Sequence, residues 1–209
     1  MSEKKKCVLS LCAEISEKRK AAADKLSEKL TLALIDLNFL DVDFTISVLP
    51  DEENFTGDGY DNITFMISTN PGEAKKPLQQ VASGGELSRI MLAFKSVFAD
   101  EEGTDTLIFD EIDTGISGRT AWKVSEKLGQ LSAEHQIICI THLPQIAAMA
   151  DTHFLIEKQV ANERTVTQIH KMNGEESLYE LARLLGSGSV TEAVLNNAKE
   201  MKETADKVK

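Results

Sequence analysis

Two short apolar runs, Thr106–Phe109 and Gln136–Ile140, lie on either side of a stretch, Ser117 to Leu131, whose apolar residues recur at helical spacing. Runs this short, free of Gly and Pro, read as buried strands. A helix between two of them is a crossover, which makes the strands parallel and places helices on their sheet. A helical pattern from Glu86 to about Asp100 precedes the first run, and a short helix after Pro144 follows the second. The expected fold is therefore α/β in the second half of the chain.

The first half follows other rules. Between Lys6 and Leu34 there is no Gly or Pro, and Val8, Leu11, Ile15, Ala22, Leu26, Leu30 and Leu34 recur in steps of three, four and seven. That spacing puts one narrow apolar stripe on a long helix, as in one arm of a coiled coil. Phe44, Ile46 and Val48 then alternate with polar neighbours, as do Ile63, Phe65 and Ile67, across an acidic connection containing Gly57-Asp58-Gly59. This reads as an antiparallel hairpin. The boundaries follow: residues 1–36 form a helical arm and residues 37–209 a single lobe. Past Ala150, strand-like segments at His153–Ile156 and Thr165–Ile169 lead to two closing helices, Glu176–Leu185 and Val190 to about Lys207, the second started by Thr191.

The chain carries 23 Lys and Arg against 34 Asp and Glu, a net charge of -11, which argues against a broad nucleic-acid-coating face. Between Met1 and Leu30 basic residues outnumber acidic ones, and this segment could track DNA phosphates or simply be a solvated helix face. Cys7, Cys12 and Cys139 have no zinc or disulfide spacing. With no apolar stretch long enough to span a membrane, the expectation is a soluble, cytoplasmic chain.

The chemistry is concentrated in three motifs. Ser83-Gly84-Gly85-Glu86-Leu87-Ser88-Arg89 is a glycine-rich turn opening a helix, where exposed N–H groups and the Ser83 hydroxyl suit a terminal phosphate. The strand Leu107-Ile108-Phe109 delivers Asp110 and Glu111 to the carboxyl edge of a parallel sheet, where such sheets bind ligands. Asp110 is placed to hold magnesium, directly or through water. Glu111 is placed to orient and deprotonate an attacking water. Thr141-His142 ends the neighbouring strand, within reach of the same phosphate or water. No glycine is followed by lysine, so the G-x-x-x-x-G-K-[ST] phosphate loop is absent. Half of an ATP site is present and half must come from elsewhere.

Signature turn, Asp-Glu (Walker B) strand and strand-end histidine, in this order, resemble the C-terminal lobe of ABC-type ATPase heads. VASGGELSRIMLA, TLIFDEIDTGISGRTA and ITHLPQIAAMAD, with the closing ELARLLG and its final helix, closely resemble the RecN family of bacterial, SMC-like DNA repair ATPases. The resemblance runs from about residue 5 to the end. It implies a head assembled from an N-terminal Walker A lobe and this C-terminal lobe, joined through a coiled coil, with two heads clamping ATP between them in a homodimer. It further implies magnesium at Asp110, a catalytic base at Glu111, a switch histidine at His142, and a dimer-crossing loop formed by Asp113, Thr114, Gly115 and Ser117. Ser117 departs from the aspartate common at that place. DNA is the implied partner of the full-length protein, in recombinational double-strand break repair, and this lobe alone is expected not to turn over ATP. Two other readings use the same motifs: the ATPase subunit of a membrane transporter, against which the helical arm argues, and a non-catalytic docking module, against which the intact acids argue.

Overall fold

The breaker-free segment forms α1 (Glu3–Asp36), 34 residues long. It ends where Asn38 turns into the left-handed region at φ 68°, a conformation that asparagine tolerates better than most residues. The alternating segments pair as β1 (Asp43–Pro50) and β2 (Asp61–Ser68), antiparallel from Asp43↔Ser68 to Pro50↔Asp61. A two-residue strand, β3 (Lys76–Pro77), extends this sheet beyond β2; Pro77 sits at that edge, where a missing N–H breaks no ladder. Helix α2 (Gly84–Glu102) completes a unit comprising residues 1–102. The structure, a computed structural model, describes residues 3–81, 84–161, 164–186 and 189–209.

Leu30, Leu34 and Leu37 at the end of the arm, Phe44, Ile46 and Ile67 of the hairpin, and Ile90, Leu92 and Ala93 of α2 make the core of this first unit. Phe94 meets Phe44 edge-on at 5.7 Å and Phe65 at 5.8 Å, so α2 is keyed to the hairpin by aromatic rings. The stripe on α1 divides in two. Leu30 and Leu34 are fully buried, whereas Val8, Leu11 and Ile15 are 45%, 55% and 39% exposed. In that amino-terminal half the buried face is instead the small residues Cys12, Ser16 and Ala23. The contacts divide the chain at residue 102, because the end of α1 shares a core with the hairpin and α2; a division at residue 36 would cut that core.

In the second unit, residues 103–209, β4 (Thr106–Phe109) and β5 (Gln136–Cys139) pair in parallel with Phe109 opposite Cys139. The crossover is α3 (Gly118–Leu131), which buries Ala121, Val124, Ser125 and Leu128. After α4 (Pro144–Ala148), the two strand-like segments form an antiparallel hairpin, β6 (Phe154–Ala161) and β7 (Arg164–Lys171), ahead of α5 (Gly174–Leu185) and α6 (Glu192–Val208). Ala147, Ala148, Ala182, Ala198 and Ala205 are all nearly or fully buried around Leu181 and Met149. Side chains this small let helix backbones approach closely.

Two local signals merit comparison. Thr191 caps α6, its hydroxyl accepting from the Val194 N–H at 3.4 Å. At α5 the Asn173 side chain accepts from the Glu175 and Glu176 N–H groups while Glu176 accepts from the Asn173 N–H, a full capping box that starts the helix two residues before the expected Glu176. The parallel strands are buried on one face only: Leu107 and Phe109 are inside, but Ile108 is 68% exposed. Ile138 and Ile140 are likewise open. Among the described residues no helix is long and apolar enough to cross a membrane.

Candidate functional site

The glycine turn opens α2 in the first unit; Ser83 lies outside the described residues. Gly84 begins the helix with ordinary backbone angles, and a methyl group added there would meet nothing within 4 Å. The described residues therefore place no demand on glycine at this position. Gly85 and Glu86 follow in the first turn. Arg89, one turn on, lies over the Phe39 ring at 5.1 Å from its centre. Burial pushes the Arg89 pKa down, and the neighbouring Glu86 charge opposes that shift.

The second unit carries the acids and the histidine. Because β4 and β5 are parallel and in register, both strands end at one edge, tied by the Ile140 N–H to the Phe109 carbonyl at 3.0 Å. Asp110 and Glu111 leave β4 exposed. The Glu111 N–H donates to Asp110 Oδ1 at 2.9 Å, and the carboxylate retains its second oxygen. Glu111 itself has φ 56°, a left-handed conformation that costs a non-glycine residue about 1–3 kcal/mol. Such strain is kept where the surrounding structure over-determines it, and here it sits on one of the two acids singled out in the sequence.

Beyond Glu111 the chain turns inward. Ile112 is fully buried and Asp113 is 4% exposed, while Thr114, Gly115 and Ser117 face solvent. Gly115 and Gly118 have φ 73° and 51°, so the loop needs glycine at both places. One carboxylate oxygen of Asp113, Oδ2, accepts two hydrogen bonds from the end of β5 and faces a third polar group there. These are the Thr141 hydroxyl at 2.6 Å, the His142 main-chain N–H at 2.8 Å and the His142 ring Nδ1 at 2.9 Å. Thr141 Oγ1 in turn accepts from the Leu143 N–H at 3.0 Å. The His142 side chain is 73% exposed.

Cys139 lies close by. Burial pushes its thiol up to about 12, with the negative charges of Asp113 and Asp110 adding to the effect. It is therefore a protonated, unreactive thiol at neutral pH. Of the other histidines, His135 Nδ1 bonds the Thr104 carbonyl oxygen at 2.8 Å and His153 Nδ1 pairs with Ser177 Oγ at 2.9 Å. Both stand in structural contacts away from the acids.

Among the described residues no three His, Cys, Asp or Glu side chains converge as a metal cage. Magnesium is usually held by one or two carboxylates together with phosphate oxygens and water. Asp110, exposed and with an oxygen to spare, fits that pattern.

No family model matches the chain. Curated relatives do. DNA repair protein RecN of Halalkalibacterium halodurans is 41% identical over 200 residues, and that of Bacillus subtilis 40% identical over 211. Each alignment covers 94% of this chain. The chain resembles the RecN proteins over nearly its whole length. It spans only 35% and 37% of the length of these two RecN relatives. Among solved structures, an SMC ATPase studied for ATP-driven dimerisation and DNA-stimulated activation matches 81% of this chain and 96% of its own, with a TM-score of 0.53 at 18% identity. The Smc head domain of Pyrococcus yayanosii, with its coiled coil and joint, matches 78% of this chain and 29% of its own at a TM-score of 0.57 and 20% identity. This RecN-like chain thus has the α/β fold of an SMC head lobe with a coiled-coil helix.

Proposed function

We propose that the chain is the C-terminal half-site of a RecN-like ATPase acting in recombinational repair of double-strand breaks. The observation that carries the reading is the edge of β4 and β5. There two exposed acids and a histidine sit at the ends of adjacent parallel strands, in a sequence without a phosphate loop. An N-terminal Walker A lobe supplies the missing cradle. The bare apolar side of β4 and β5, at Ile108 and Ile138 with Ile140 just beyond, supports a covering layer supplied by another segment.

At the completed site Asp110 would hold magnesium, directly or through water, and what that ion would supply there is neutralisation of charge on the transferred phosphoryl group. Glu111 orients a water and takes its proton as the water oxygen attacks the terminal phosphorus. The bond to the β-phosphate oxygen breaks, leaving ADP and phosphate. His142 contacts the terminal phosphate or the attacking water. The glycine turn at Ser83, Gly84 and Gly85, with Glu86, faces the ATP held by a second head, and Thr114, Gly115 and Ser117 line that head-to-head interface. Gly84 supports this reading, since no described residue requires a glycine there. The exposed residues Val8, Leu11 and Ile15 are the seam for the opposing coiled-coil arm. The working protein binds DNA in the cytoplasm, at the nucleoid.

The test is Glu111→Gln in the chain completed by its phosphate-loop lobe. ATP binding is expected to persist while kcat falls about 10²–10⁴-fold, the effect of losing a positioned base. Turnover at the wild-type rate would remove Glu111 from the role.

A further inference from the structure

The resemblance places Asp113 in a loop that crosses between heads, yet its carboxylate is turned into its own unit. A buried carboxylate is costly unless donors surround it. Here the donors come from one place, the Thr141-His142 step after β5. Two of the three belong to His142: its main-chain N–H and its ring Nδ1 meet the same oxygen, so the residue is gripped at both ends. Thr141 is fixed too, because its hydroxyl donates to Asp113 while accepting from Leu143.

The consequence is chemical. The ring Nδ1 lies 2.9 Å from Oδ2, and since a carboxylate oxygen only accepts, a ring nitrogen that bonds to it is one that carries the proton. A neutral imidazole protonated at Nδ1 has a bare lone pair at Nε2, on the exposed part of a ring that is 73% open. We propose that Asp113 is a positioning residue that fixes the tautomer and the aim of His142, so that Nε2 is the atom presented to the nucleotide. In that state Nε2 accepts a hydrogen bond from the attacking water; when it gains a proton it becomes a donor to a phosphate oxygen, and Asp113 stabilises the resulting charge. An acid that orients a histidine through Nδ1 is a recurrent device in hydrolases, where an Asn replacement produces the wrong tautomer.

This inference rests on the nucleotide-facing reading of His142, and the experiment separates the two. Long-range proton–nitrogen spectra of the histidine-labelled chain, above the imidazole titration, are expected to show the His142 proton on Nδ1. Asp113→Asn should move it to Nε2, since the amide can donate to Nδ1, whereas Thr141→Val should leave it on Nδ1. Circular dichroism confirms that each variant is folded. With the phosphate-loop lobe added, Asp113→Asn is expected to lower kcat about 10²-fold with KM for ATP nearly unchanged. A His142→Gln change on top of it should cost nothing more. A proton on Nε2 in the wild type, or an Asp113→Asn variant with unaltered tautomer and kcat, overturns the proposal. If the wild-type mixture binds no ATP at all, the nucleotide reading fails, and the spectra still decide whether Asp113 sets the ring.

Discussion

Among the described residues the side chains of Asp61 and Asp113 are both enclosed, and they are enclosed for different purposes. In the first unit Asp61, whose side chain is fully enclosed, meets Arg19 of the long helix at 2.8 Å, while a second Arg19 nitrogen donates to the Asp58 carbonyl at 2.6 Å. Burial pushes the Asp61 carboxyl upward, but the Arg19 and Ser16 contacts and the Arg19 charge outweigh it and hold the group below the usual carboxylate range. In the second unit Asp113 meets a hydroxyl, a main-chain N–H and an imidazole. Arginine is always charged, so the first arrangement has one state and pins the arm to the hairpin. Imidazole has two accessible protonation states, so the second can change during a reaction cycle. The partner, not the degree of burial, decides whether a carboxylate serves the fold or the chemistry.

Arg19→Met should break the first arrangement most severely. It leaves Asp61 buried and unpaired, and breaking a buried pair costs about 3–5 kcal/mol, with the low end expected here because Arg19 is itself 30% exposed. Chemical denaturation of the two proteins at neutral pH measures it. The pH dependence sharpens the point. In the wild type the Asp61 pKa is depressed on folding, so its contribution is present above the unfolded carboxyl value of about 4 and is lost as pH falls through the folded value. In Arg19→Met burial is opposed by the Ser16 contact and the Lys20 charge alone, so the folded pKa rises and the two stability curves should converge on acidification. Curves that stay parallel would mean Asp61 is not the group responsible.

Asp113→Asn should cost the fold less, about 1–3 kcal/mol, because the amide nitrogen that turns to Nδ1 leaves the His142 main-chain N–H without its acceptor, while the Thr141 hydroxyl can reverse and accept. A loss as large as that of Arg19→Met would make Asp113 a fold anchor as well and erase the contrast. Gly84→Ala has the opposite sign. With open space and ordinary backbone angles, alanine should leave the isolated chain unchanged or more stable by up to about 1 kcal/mol, while ATP-dependent pairing of heads is lost. The smallest effect is on thiol reactivity: exposed Cys7 should alkylate first and Cys139 slowly, and Asp113→Asn should speed Cys139 by removing one of the charges that hold its thiol up.

Much of this was legible in the residues because it is local. The strand Thr106–Phe109 has the limits its apolar run suggests, the hairpin pairs Phe44 with Ile67, Ile46 with Phe65 and Val48 with Ile63, and Thr191 caps the last helix. What escaped depends on distance along the chain. The Arg19–Asp61 pair joins positions 42 apart, and Asp113 meets Thr141 and His142 across 28 and 29 residues. An acid in a loop reads as solvated until the donors that surround it are known. One-sided burial of β4 was hidden for a related reason: an apolar run gives the composition of a strand but not how many layers cover it, and Ile108 is open. The capping box at Asn173 and Glu176 was visible as Asn-x-x-Glu spacing and is a signal that reading from the helix interior overlooks.

The central claim, that this lobe holds half of an ATP site, is tested most directly by mixing. ATP hydrolysis should be absent from the isolated chain, appear when a separately prepared phosphate-loop lobe is added, and vanish again when that lobe is paired with Glu111→Gln. Hydrolysis by the chain alone, or a mixture that binds ATP and pairs but never hydrolyses it, would contradict the account.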